Sequence, residues 1–183
     1  MIKINKDNHD QPSEWVMRFS NYITPKSKVL DVACGSGRHS SLMLSLGHRV
    51  TSIDIDVSGL FYLKRQSNLR IIETDLENKP WPLGKEKFQA IIVTNYLYRP
   101  LIPQLVNSLS TNGLLIYETF AKGNEVFGRP RNPKYLLDRG ELISFFSDKL
   151  NIIAYEDLEV ISPRKSVKQR ICASNHINSV TIS

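Results

Sequence analysis

KVLDVACGSGRHS, Lys28 to Ser40, is the stretch whose reading decides the fold. Val29, Leu30, Val32 and Ala33 make an apolar run of the length that suits a parallel strand covered on both faces. Gly35 and Gly37 follow at once, allowing positive φ and close approach of a ligand to the backbone. A helix opening near Arg38 would then turn its free backbone N–H groups toward that ligand. Strand, glycine turn and helix start in thirteen residues form a junction suited to a nucleoside-bearing cofactor.

Working outward, the same alternation continues. Upstream, Pro12 to Ile23 carries Trp15, Val16, Phe19, Tyr22 and Ile23 at helical spacing, with Pro12 and Ser13 as start signals. Downstream, the pattern predicts a helix over Arg38 to Leu46, closed by Gly47, and strands over Arg49 to Ile55 and Leu69 to Thr74 with a helix over Ser58 to Gln66 between them. A turn-rich piece around Pro80 to Gly84 leads to the strand FQAIIVTN and a helix from about Pro100. Asn112 and Gly113 then announce the strand LLIYETF. Ala121 to Pro133 lacks apolar periodicity but holds Gly123, Gly128, Arg129, Pro130, Arg131 and Pro133, and reads as a long functional loop. A helix over Pro133 to Lys149 and strands near Asn151 to Leu158 and Lys168 to Ser174 complete the pattern, which is that of a doubly wound α/β sheet. No repeat or linker divides the chain, so one domain over residues 1–183 is expected, with residues 1–11 a polar leader.

The composition is that of an ordinary globular protein: 183 residues, 41% hydrophobic and 23% charged. No apolar stretch approaches the roughly 20 residues that span a bilayer, and the amino terminus lacks an apolar secretion core, so a cytoplasmic location without membrane partners is expected. Cys34 and Cys172 fit a reducing compartment, Cys34 reading as a small loop residue, and the four histidines lack metal-site spacing. The net charge of +6 permits a nucleic-acid partner, yet the basic residues are scattered among acids; only the Arg164 to Arg170 segment is locally acid-free. A solvated basic surface is the plainer reading.

In such a sheet, ligands bind outside the carboxyl ends of the strands. Asp54 lies at the close of the strand RVTSIDI, where a carboxylate can accept hydrogen bonds from both ribose hydroxyls, whichever nucleoside cofactor is present. Two features then count against an NAD-binding oxidoreductase. Ser40 stands where a dinucleotide fingerprint wants its third glycine, and Asp31 interrupts an otherwise apolar first strand. A carboxylate there can reach the ammonium of a methionine moiety, and without a partner it would be a costly buried charge.

The sequence resembles the class I S-adenosylmethionine-dependent methyltransferases. VLDVACGSGRHS is similar to their first motif, SIDID to the second, ETDLENKPWPL to the third, and AIIVTNYLYRPL with GLLIYETF to the fourth and fifth. The segment YETFAKGNEVFGRPRNPKYLLDRGEL resembles a small bacterial subgroup related to tellurite-resistance methyltransferases. The resemblance implies a Rossmann-like, mostly parallel, seven-stranded sheet with helices on both faces and its last strand antiparallel. It implies S-adenosylmethionine as cofactor and S-adenosylhomocysteine as product. Asp31, the backbone of Ala33, Cys34, Gly35, Ser36 and Gly37, and Arg38 would hold the methionine part. Asp54 would hold the ribose, Ile55 an adenine face, Asp75 with Leu76 the adenine amino edge, and Asn95 and Tyr96 would flank the sulfonium.

The sulfonium is a good leaving group, so alignment and exclusion of water can do most of the work, and a strong base is needed only for an acceptor that must lose a proton. Arg129 and Arg131, on the Ala121 to Pro133 loop, are suited to fork onto an anionic acceptor, with Arg99 beside them; the alternative is that they cap helices or pair with Glu118 and Glu125. Tyr98 and Glu118 stand equally as acceptor contacts or packing residues. The expected function is methyl transfer to a small anionic or soft-nucleophile acceptor. The alternative is an RNA methyltransferase, although Asn95-Tyr96-Leu97-Tyr98 lacks the prolines of an adenine-N6 tetrad.

Overall fold

The computed structural model describes residues 11–162 and 164–176; the polar leader, apart from Gln11, lies outside the described residues, as does His9. Seven strands join in one sheet: β1 (Lys28–Val32), β2 (Arg49–Asp54), β3 (Leu69–Glu73), β4 (Phe88–Thr94), β5 (Leu109–Phe120), β6 (Asn151–Val160) and β7 (Ser166–Ser174). Their order is β3-β2-β1-β4-β5-β7-β6, with β7 antiparallel to both of its neighbours. A dinucleotide fold would continue in parallel as 3-2-1-4-5-6. The antiparallel β7 inserted between β5 and β6 is therefore a topological mark against that reading, and it bears out the expected reversed last strand.

Period-two alternation loads both faces of the sheet. Val29, Val50, Ala90, Ile92, Leu114 and Ile116 face α1 (Glu14–Ser20) and α2 (Arg38–Ser45), meeting Trp15, Val16, Phe19 and Met43. Leu30, Val32, Ile91, Val93, Leu115 and Tyr117 face the other way, onto α3 (Ile102–Ser108) and α4 (Glu141–Phe146) through Leu105, Leu142 and Phe146. Trp15 anchors α1 twice: its ring packs edge-on against Phe19 at 4.8 Å, and its Nε1 donates to the Ile171 carbonyl of β7.

Two expected helices come out differently. Ser58 to Gln66 is a 3-10 helix over Ser58–Leu63, because the segment is pressed against the glycine turn: a Cβ on Gly59 would stand 2.9 Å from Ser36 Cα. Pro133 to Lys149 is split into a 3-10 turn at Pro133–Tyr135 and the short α4. Between them Leu136 and Leu137 are buried, Leu137 bridging Ala121, and Gly140 at φ +71° restarts the helix. Strand β5 also begins earlier than LLIYETF, taking in Asn112 and Gly113 where its pairing with β4 is irregular. In the Ala121 to Pro133 loop a 3-10 turn forms over Asn124–Val126, and Pro133 opens the next one. No helix among the described residues is long and apolar enough to cross a membrane.

Candidate active site

The chain departs from β1 and β4 in opposite directions across the sheet, so a crevice opens at their carboxyl ends. The glycine turn forms its floor. Gly35 and Gly37 hold φ of +53° and +77°, and Ala33 shares that left-handed region at +52°. The two glycines have different reasons for lacking a side chain. A Cβ on Gly37 would come within 2.2 Å of Leu60 Cδ2, whereas a Cβ on Gly35 would meet nothing within 4 Å. Gly37 is needed for packing, and Gly35 faces open space.

Asp54 is tied to this turn: its Oδ2 accepts from the Gly35 N–H at 2.8 Å and its Oδ1 from the Asp56 N–H at 3.1 Å. Asp56 itself accepts from Ser58 N–H, so Asp54 is the carboxylate that faces the turn. Gly37 caps α2 without a side-chain hydrogen bond, leaving first-turn N–H groups to other partners.

Asp31 is 1% exposed, and its Oδ2 accepts from Ser40 Oγ at 2.6 Å; Ser40 Oγ also lies 2.7 Å from Ser52 Oγ. Burial raises the Asp31 carboxyl to about 6, against the lowering effect of Ser40. Ser40, which in sequence only marked a missing glycine, is thus the partner of the buried acid. Cys34 is buried, and burial pushes its thiol far up, out of the range of a reactive thiolate.

Around the rim, Ile55 is 64% exposed at the end of β2. The Asp75 carboxylate already accepts from the N–H groups of Glu77 and Asn78 and from Asn78 Nδ2, in a turn that holds it below the usual range. Leu76 and the Tyr96 ring both pack against the core. Asn95 sits just after β4 in the left-handed region, φ +55°, its N–H bonded to the Glu118 carbonyl. The Tyr96 hydroxyl is buried without a hydrogen-bond partner among the described residues, and burial pushes its pKa up.

The expected acceptor residues do not converge on one point. Arg99 lies half-buried and spends its donors inside the protein: Nε on Glu141 Oε1 at 2.6 Å, NH2 on Glu141 Oε2 at 2.9 Å, and the carbonyls of Lys134 and Leu136. It clamps the 133–141 segment to the end of β4. Tyr98 donates to the Glu77 carbonyl, joining the turns after β3 and β4. Glu118 is 1% exposed, with Lys168 Nζ 3.2 Å from Oε1 and Arg170 Nε 3.0 Å from Oε2. The Arg170 contact is an ion pair whose angles fall outside hydrogen bonding. Burial alone would raise the Glu118 carboxyl, but Lys168 and Arg170 outweigh it and hold it below the usual range. Arg129 and Arg131 are exposed and bond to no described residue, so the pairing with Glu118 or Glu125 is not what the structure forms; Glu125 accepts instead from Gly123 N–H.

Two residues at this end of the sheet were not among the expected site residues. His39, 1% exposed, accepts the Ser13 N–H on Nε2 and approaches Thr94 Oγ1 with Nδ1, fastening the start of α1 to α2 and β4. Burial lowers its pKa to about 3, so it stays neutral. Lys168 is the other, and a signal for it existed. Glu118 interrupts the apolar run LLIYETF, a buried charge calls for a cation on the neighbouring strand, and Lys168 and Arg170 share one face of the last strand.

A separate cavity of about 170 Å³ lies between α1 and the amino-terminal strand ends, lined by Phe19, Tyr22, Gln89, Leu114 and His176 among others. None of its lining residues belongs to the crevice.

Residues 29–111 match the family model described as a methyltransferase domain. Among curated proteins, the chain is similar to tRNA U34 carboxymethyltransferases: 34% identical over 121 residues to that of Shewanella amazonensis, covering 58% of this chain and 36% of that protein. For Vibrio vulnificus the figures are 28% over 170 residues, 81% and 52%. The chain thus spans between about a third and about half the length of these relatives. Among solved structures, TehB from Haemophilus influenzae superposes with a TM-score of 0.72 at 20% identity, covering 89% of this chain and 62% of that one. The N-methyltransferase NodS from Bradyrhizobium japonicum, in complex with S-adenosyl-L-homocysteine, gives 0.69 at 18%, covering 87% and 83%. Residues 29–111 thus match a methyltransferase domain by sequence, and the seven-stranded sheet has the fold of TehB and of the S-adenosylhomocysteine-bound N-methyltransferase NodS.

Proposed function

We propose that this protein transfers a methyl group from S-adenosylmethionine to a small acceptor that is an anion or a soft nucleophile. One observation carries the reading: the open face of Gly35 lies beside the Asp54 carboxylate at the mouth of the β1–β4 crevice. A Cβ there would enter space that nothing else fills, and Asp54 retains lone pairs beyond the two N–H groups it accepts. The residues fit the cofactor. Asp54 would hold the ribose hydroxyls, Ile55 the adenine face, Asp75 and Leu76 its amino edge. Asp31 with the 33–37 backbone and Arg38 would hold the methionine part, and Asn95 and Tyr96 the neighbourhood of the sulfur. When bound, S-adenosylmethionine supplies an electrophilic methyl group whose leaving group is a neutral thioether.

The chain's own groups then favour an acceptor that arrives with its lone pair ready. Glu118 is engaged by two cations, and His39 is neutral with both ring nitrogens occupied, so neither is placed to take a proton. Arg129 and Arg131, exposed on the loop after β5, supply positive charge for an anion entering there. A methyl-donor turnover screen across thiols, selenite, tellurite, carboxylates and bulk tRNA tests the reading, with S-adenosylhomocysteine release as the readout. Small anions or thiols should stimulate release, and Arg129→Ala should raise their KM. Lack of stimulation by every small acceptor would contradict it.

A second reading, methylation of RNA, is favoured by the curated relatives named tRNA U34 carboxymethyltransferases and by the basic loop. Turnover on tRNA alone, with binding that weakens steeply as salt rises, would put this reading first.

A further inference from the structure

We propose that Lys168 is the acceptor-binding residue of this site and that it recognises an oxyanion on the methyl acceptor. The inference rests on the methyl-transfer reading and names what selects the substrate.

Lys168 lies at the start of the antiparallel strand β7, in register with Phe120 at the end of β5. Because β7 runs against its neighbours, its first residues stand at the carboxyl ends of the parallel strands, where the acceptor must enter. The side chain is only 13% exposed, with its ammonium 5.1 Å over the Phe120 ring. Nζ donates to Asn95 Oδ1 at 3.0 Å and to Glu118 Oε1 at 3.2 Å. An ammonium has three N–H groups, and the third has no partner among the described residues. A nearly buried cation with an unspent donor, fixed to the residue that follows β4, is a receptor for an anion.

The surrounding charges support this. Glu118 also meets Arg170, Arg170 meets Glu156 at 3.4 Å, and Glu156 meets Arg18 at 3.5 Å. The chain of contacts thus sets three cations against two carboxylates. Lys168 is its end at the crevice; Arg18, 60% exposed, is the solvated end. Asn95 and Glu118 hold the ammonium still, so little rotamer freedom is lost when an anion arrives.

The test compares 3-mercaptopropionate, an anionic thiol, with 2-mercaptoethanol, its neutral counterpart, and adds selenite, tellurite and bulk tRNA. Wild type should prefer 3-mercaptopropionate. Lys168→Met should lower the ratio of kcat/KM for the anionic over the neutral thiol by about tenfold or more, mostly through KM, as loss of one charge-assisted hydrogen bond requires. Lys168→Arg should retain part of the preference. If Lys168→Met does not fold, the neutral pair Lys168→Gln/Glu118→Gln gives the same comparison without a lone buried charge. Calorimetry with S-adenosylhomocysteine separates this proposal from the reading beneath it. Binding of that ligand with an unchanged thiol ratio in the variants overturns the role of Lys168 alone. The same holds if wild type responds to none of the anionic probes, or only to tRNA with a KM that Lys168→Met does not move. Absence of S-adenosylhomocysteine binding by wild type overturns both.

Discussion

Adding a single methyl group to each of two neighbouring glycines should give opposite results. At Gly37, alanine must hold φ near +77°, costing roughly 1–2 kcal/mol for a residue with a Cβ. Its Cβ would also lie 2.2 Å from Leu60 Cδ2 and 3.3 Å from Leu63 Cδ1, and Leu60 is fully buried with nowhere to swing. Overpacking of that kind costs about 1–3 kcal/mol, so Gly37→Ala should lose about 2–5 kcal/mol in all. That is a large share of the roughly 5–15 kcal/mol that holds a domain folded. At Gly35 only the backbone strain applies, roughly 1–2 kcal/mol, because no atom lies within 4 Å of the new Cβ. Yet that Cβ would stand in the space assigned to the cofactor, so Gly35→Ala should weaken S-adenosylhomocysteine binding by at least about tenfold, equivalent to 1.4 kcal/mol. Urea unfolding followed by tryptophan fluorescence gives the stabilities, and calorimetry on the folded variants gives the affinities. If Gly35→Ala binds as wild type does, or if Gly37→Ala loses no more stability than Gly35→Ala, the account of the turn is wrong.

Further expectations concern other parts of the molecule. Asp31, raised to about 6 by burial, should be driven to ionise when a cation is placed beside it, so cofactor binding should release a proton below pH 6. Affinity should then rise with pH up to about 6 and level off above it, and an affinity independent of pH between 5 and 7.5 would remove Asp31 from the site. For the free protein the sign is the reverse: the raised carboxyl stabilises the fold below the ordinary value of 3.8. Stability on the order of 3 kcal/mol is then lost as pH rises through 6, a loss that Asp31→Asn should abolish in urea titrations at several pH values. Arg99→Ala removes the Glu141 clamp and two carbonyl contacts; it should cost about 1–3 kcal/mol and speed limited proteolysis within residues 133–141. Trp15→Ala should cost about 3–5 kcal/mol in the same unfolding assay, since the ring is 2% exposed and its N–H ties α1 to β7.

The glycine turn, the acid ending β2 and the succession of the first five strands along the chain were legible in sequence because each rests on local chemistry: hydrophobic period, turn residues, a carboxylate at a strand end. The two helices that failed were overruled by tertiary contacts. Gly59 is pressed onto Ser36, and Leu137 is drawn out to pair with Ala121; neither leaves a trace in helical periodicity. In the site, Asp31 was visible as a charge in an apolar strand, but its partner Ser40 was read only as an absent glycine. Arg99 stood in sequence between acceptor binding and pairing with Glu118 or Glu125, because its actual partner Glu141 lies 42 residues away and meets it only through the fold. Lys168 had a signal in Glu118, a charge inside an apolar strand, but its place at the crevice follows only from strand β7 running antiparallel beside β5.

The most direct measurement is calorimetric titration of S-adenosylhomocysteine into the wild-type protein and Asp54→Ala. The account requires binding by wild type, and weakening by about ten- to a hundredfold in the variant, since hydrogen bonds to a charged carboxylate contribute about 1.5–3 kcal/mol. Absence of binding by wild type, or equal affinity in the two proteins, would contradict it.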